Sequence, residues 1–141
     1  MATKSYKWQK RGKGAGRHVQ LPEWVQATEA WSTMKPAPRA LYIELKRRFN
    51  GVNNSAIILS HRDAAKALNV HRNTIGGLFD TLQERGFIRM TQAPHLGPSG
   101  IGRASVWALE EVPLREGQPA PMSFARWNKT KPPHKNQDKV A

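Results

Sequence analysis

The chain has 141 residues, a formal net charge of +13, a pI near 10.8 and no cysteine. That length accommodates one ordinary domain with tails, and the missing thiols exclude disulfides, thiolate zinc sites and a cysteine nucleophile. The charge points to a polyanionic partner, because lysines and arginines that neutralise phosphates release condensed counterions.

Residues 1–20 form a basic arm carrying Lys4, Lys7, Lys10, Arg11, Lys13 and Arg17 and no acidic side chain. Such a segment cannot bury enough apolar area to offset its ordering entropy, so it is expected to be disordered without a ligand. Lys10, Arg11, Lys13 and Arg17 are candidate DNA contacts that follow phosphates or enter a minor groove; a solubilising tail is the plainer alternative. No apolar core of a signal peptide follows the basic start. The longest aliphatic run, Ala56-Ile57-Ile58-Leu59, is too short to span a bilayer, so the cytoplasm is the expected location and no membrane partner is expected.

Leu21-Pro22-Glu23-Trp24 opens the first helical element, with Pro22 and Glu23 suited to a first turn. Trp24, Val25, Thr28 and Trp31 recur at helical spacing and are expected to pack on the core. After the break Lys35-Pro36-Ala37-Pro38, a helix over 39–49 places Leu41, Leu45 and Phe49 on one face. Lys46, Arg47 and Arg48 are expected mostly on its solvated side, one or two of them within reach of phosphate. Gly51 and the neighbouring asparagines suit a turn, and 56–59 reads as a short buried strand. Ser60 and Asp63 resemble a capping box that starts a helix over 61–68. The corner Asn69-Val70-His71 leads to a helix over 72–85, whose inward side is Ile75, Leu78, Phe79 and Leu82, and Gly86 caps it. Strands over 87–90 and 106–109 flank a Gly/Pro-rich hairpin loop at 91–105. Glu110 and Glu111 are expected to end the second strand in solvent. The remainder, 113–141, is Pro- and Lys-rich and expected to be largely disordered, with Phe124 and Trp127 able to dock a short helix.

The segment 59–79 resembles a helix-turn-helix: Ala65 is small where two helices would meet, and Leu68, Val70 and Ile75 would close the corner. Leu82-Gln83-Glu84-Arg85-Gly86-Phe87-Ile88 is similar to the exit of the recognition helix in many bacterial winged-helix regulators. The order helix, strand, helix, helix, strand, wing, strand covers roughly 38–111. The implied fold is mostly α with a small antiparallel β-wing: a winged helix-turn-helix over 21–112, with an extra N-terminal helix and flanking basic tails. A narrower resemblance, to uncharacterised helix-turn-helix proteins of rhizobial and related alphaproteobacterial chromosomes, plasmids and phages, rests on several short matches. These are Arg47-Arg48-Phe49-Asn50-Gly51, Asn53-Asn54, Leu59-Ser60, Gly86-Phe87-Ile88, Gly97, Arg103-Ala104 and Trp107-Ala108-Leu109.

The resemblance implies that helix 72–85 enters the major groove of double-stranded DNA with its N-terminal residues nearest the bases. Arg72 can then donate a pair of hydrogen bonds to guanine, and Asn73 can pair with adenine. Thr74 and the first amides suit a phosphate. His71 is either a cap or a phosphate contact. Gly76 and Gly77 cost about 1 kcal/mol each relative to alanine inside a helix. Either packing against the preceding helix or close approach to DNA accounts for them. Arg62 and Lys66 can touch the backbone as the first helix crosses it, and Arg103 can do so from the wing. A homodimer on DNA is one arrangement this allows.

Neither glycine-rich stretch forms a nucleotide-binding loop, and the five histidines lack metal-ligand spacing. No catalytic constellation and no cofactor is read, so the expected function is binding, in the first place transcriptional regulation. The alternatives are an accessory role in plasmid or phage replication, excision or partition, or a winged-helix adaptor between proteins.

Overall fold

The computed structural model describes residues 18–96 and 102–130. Within them the chain is helix-rich, with one small three-stranded antiparallel sheet. The expectations for 1–17, for 97–101 and for 131–141 lie outside the described residues.

The N-terminal element forms as two single turns, α1 (Glu23–Gln26) and α2 (Glu29–Ser32). The break is chemical. The Thr28 side chain accepts a hydrogen bond from the Trp31 amide and so caps α2, which ends α1 before it can continue. Val25 and Trp31 are buried as expected, whereas Trp24 lies half exposed and stacks on Phe124. Helix α3 (Pro36–Arg48) begins three residues before the expected start. The first turn of a helix leaves its amides unpaired, so Pro36 and Pro38 are tolerated there, and the supposed break is the helix start. Leu41, Tyr42 and Leu45 face the core.

Strand β1 (Ile57–Ile58) has one residue in and one out: Ile57 is buried and Ile58 is 62% exposed. Ser60 accepts from the Asp63 amide at 3.0 Å and starts α4 (His61–Leu68). Asn69 takes a left-handed conformation, φ 58°. The Val70 amide returns to the Ala65 carbonyl, and that of Asn69 to Lys66, which closes the helix end. His71 then caps α5 (Arg72–Glu84), with Ile75, Leu78, Phe79 and Leu82 buried along one stripe. Gly86 ends the exit turn in the same way at φ +81°. Glycine is required here for a second reason. A Cβ would lie 2.6 Å from that of Ser123 and 2.7 Å from the Phe124 nitrogen.

Strands β2 (Ile88–Gln92) and β5 (Val106–Leu109) pair antiparallel, with Met90 opposite Trp107, and β5 also pairs with β1 to give the order β1-β5-β2. Between β2 and β5 the expected loop contains a second ribbon, β3 (His95–Leu96) with β4 (Gly102–Arg103), joined in the register His95 to Arg103.

The core extends past the expected boundary at 112. A 3-10 helix, Ser123–Arg126, buries Phe124 completely, stacked on Phe87 at 4.9 Å, and Trp127 is buried beside it. Residues 122–127 therefore form a docked strap, the short helix that Phe124 and Trp127 were expected to allow, while 115–119 before it are exposed. Glu110 and Glu111 correct a further expectation, because neither ends the strand in solvent. Glu110 is 4% exposed and accepts from Ser123 Oγ at 2.7 Å. Burial pushes its carboxyl above the usual range, against the opposing pull of the Ser123 hydrogen bond and Arg89. Glu111 accepts from Tyr42 and pairs with Lys46 Nζ at 2.8 Å, the two charged side chains only 9% and 8% exposed. Burial, and then the Glu111 charge, push the Tyr42 hydroxyl well above its ordinary value. Lys46 thus belongs to a buried network and not to the solvated helix surface. Arg47 and Arg48 both pair with Glu44 on that surface and, against the opposing effect of burial, hold its carboxyl below the usual range.

Candidate nucleic-acid interface

Helix α5 is anchored at one end and bare at the other. At its C-terminal end Arg85 donates to the Ala30 carbonyl at 2.8 Å and to Thr33 Oγ1 at 2.7 Å, and its guanidinium lies over the Trp127 ring. These bonds join the helix to α2 and the strap. At the N-terminal end Arg72, Asn73 and Thr74 are all exposed, and among the described residues their side chains make no hydrogen bond. A 13-residue helix separates the two ends by about 20 Å.

Residues 72, 73, 76, 77 and 80 fall on one outward face by helical spacing. Its charge changes along the axis, from Arg72 through the neutral Gly76 and Gly77 to the exposed Asp80 and Glu84. A polyanion is accommodated at the first two turns and repelled from the last two. Beside this end lies α4, where Arg62 and Lys66, four residues apart and both exposed, share a face.

His71 serves as the cap: its Nδ1 accepts from the Asn73 amide at 3.1 Å. The Thr74 amide is bonded to the His71 carbonyl at 3.0 Å. The amides of Asn73 and Thr74, among the first of the helix that were expected to suit a phosphate, are therefore already occupied, and anion binding at this terminus falls to side chains. Packing against α4 does not require the glycines either. A Cβ on Gly76 would meet His61 Cε1 at an ordinary 3.8 Å, and one on Gly77 would meet nothing within 4 Å.

No protein-family model, curated protein or solved structure matches this chain. Arg103 lies on β4, in the ribbon that follows β2. Lys10, Arg11, Lys13 and Arg17 lie outside the described residues. No helix among the described residues is long and apolar enough to cross a membrane.

One residue at this surface escaped the sequence reading. His61, at the start of α4, is exposed yet stacked on Phe79 of α5, with ring centroids 5.3 Å apart and planes 18° apart. Phe79 stacks in turn on Trp107 of β5 at 4.7 Å and 7°. The periodicity of α5 marks Phe79 as inward-facing. Nothing local in the sequence marks a histidine on the preceding helix as its cover.

Proposed function

We propose that this chain is a winged helix-turn-helix protein that binds double-stranded DNA as a transcriptional regulator. In this reading the first two turns of α5 lie in the major groove, and the β3–β4 ribbon lies along the flanking DNA. The observation that carries the reading is the exposed triad Arg72, Asn73 and Thr74, without a side-chain hydrogen bond among the described residues, at one end of a helix whose other end is fixed to the core. The backbone that carries them is already ordered, so binding costs only the rotamer freedom of these side chains and breaks none of their hydrogen bonds among the described residues. Arg72 donates to guanine O6 and N7, Asn73 pairs with adenine N6 and N7, and Thr74 meets a neighbouring phosphate. Arg62 and Lys66 face the phosphate backbone, and Arg103 supplies the cation of the wing. The net charge of +13 supports a polyanionic partner, and the exposed Asp80 and Glu84 limit the contact to the N-terminal half of α5. The role is one of binding and not of catalysis.

Selection from a pool of random duplexes tests this reading. The protein is expected to enrich a defined site. Arg72→Ala and Asn73→Ala should each lose about 1–3 kcal/mol on that site and relax discrimination at one base pair, with unchanged melting. Variants that bind the site and its single-base changes as the native protein does would rule out α5 as the reading helix.

A further inference from the structure

We propose that His61 is a DNA-backbone contact held in place by an aromatic stack, donating a ring N–H to a phosphate where α4 meets α5. The inference rests on the reading that the N-terminal half of α5 enters the groove, and it adds a residue that the helix-turn-helix pattern does not supply. Three observations bear on it. First, the ring is fixed: one face lies on Phe79, which is itself buried and stacked on Trp107. Second, His61 is exposed, and among the described residues neither ring nitrogen makes a hydrogen bond. Third, its Cε1 is the atom nearest to where a Cβ on Gly76 would stand, at 3.8 Å, so the ring borders the outward face of α5 that carries Arg72 and Asn73. An imidazole always offers at least one N–H. A donor whose plane is already set by stacking gives up little rotational freedom on meeting a phosphate. The bordering cations, Arg62 on the same helix and Arg72 on the facing one, draw the phosphate backbone towards this seam.

The test separates the stack from the hydrogen bond. His61→Phe retains an aromatic ring on Phe79 and removes both nitrogens; His61→Gln retains a donor and removes the ring; His61→Ala removes both. Each full-length variant is titrated by fluorescence anisotropy against the selected duplex and against a scrambled duplex, and each is melted without DNA. His61→Phe is expected to melt as the native protein does and to bind both duplexes about tenfold more weakly, the effect of a lost hydrogen bond to a charged group. His61→Gln is expected to bind more tightly than His61→Phe, and His61→Ala to melt earlier than His61→Phe. If His61→Phe binds both duplexes as the native protein does, or His61→Gln binds no better than His61→Phe, the residue only covers Phe79 and the inference fails. A loss confined to the selected duplex overturns the phosphate contact in favour of base reading. If the native protein binds neither duplex, the DNA-binding reading itself fails; native binding with an indifferent His61→Phe removes this inference alone.

Discussion

Replacing Gly76 and Gly77 with alanine, one at a time, should move stability and DNA affinity in opposite directions. Glycine inside a helix is about 1 kcal/mol less favourable than alanine, because it loses more backbone freedom on folding. Normally such a cost is offset by close packing, but here it is not. A methyl group on Gly77 would find no atom within 4 Å, and one on Gly76 would touch only His61, at 3.8 Å. Each alanine variant should therefore gain about 1 kcal/mol and raise the melting temperature by about 4 °C for a domain of this size. On DNA the sign reverses. If the helix backbone at these positions lies against base edges, a methyl group displaces it and lengthens the contacts of Arg72 and Asn73. The expected loss is on the order of 1–3 kcal/mol, the value of a base contact. Thermal melting without DNA and an anisotropy titration against the selected duplex measure the two effects independently. Lower melting would show that the protein itself requires the glycines. Higher melting with unchanged affinity would refute the close approach and leave both glycines without a function.

Other expectations test the fold and its charges. Phe124→Ala should cost about 3–5 kcal/mol in a denaturant titration, because the ring is fully buried against Phe87; a cost within about 0.5 kcal/mol would return 122–127 to the status of a tail. Glu110→Gln tests the raised carboxyl. A raised folded value favours the protonated form, so this contribution to stability is full below about pH 4.3, the ordinary glutamate value, and is lost as pH rises through the folded value. The melting advantage of the glutamine variant over the native protein should therefore grow from pH 4 to pH 7; a constant or shrinking difference would contradict the assigned cause.

The helices α4 and α5, their corner and the core stripe Ile75, Leu78, Phe79 and Leu82 were legible because helical periodicity and cap residues are local signals. The candidate contacts at 71–74 were legible as positions, and His71 is the cap that one of its two readings described. What escaped depends on contacts between distant segments. Glu111 looks solvated until Tyr42 and Lys46 are brought to it from α3. Phe124 and Trp127 signalled a docked helix at the strap, but not its seat, which needs Phe87 to stack on Phe124 and Gly86 to leave the room. His61 looks unremarkable until the corner folds it over Phe79. The split of the first helix was a local signal missed: Thr28 is a cap residue in the middle of an apolar pattern.

If the N-terminal end of α5 faces DNA, as proposed, single positions can report it, because the chain has no native cysteine. Thr74→Cys places a thiol at the exposed start of α5. Glu23→Cys places one on α1, in the layer of short helices that anchors the far end of α5, which is about 20 Å long. Each variant is labelled with a short aryl azide, bound to the selected duplex and irradiated. Cross-links from position 74 to bases within the selected site, with none from position 23, are the predicted result. Cross-links from position 23 in place of position 74, or none from position 74 in a complex that still forms, would contradict the proposal that α5 reads the DNA.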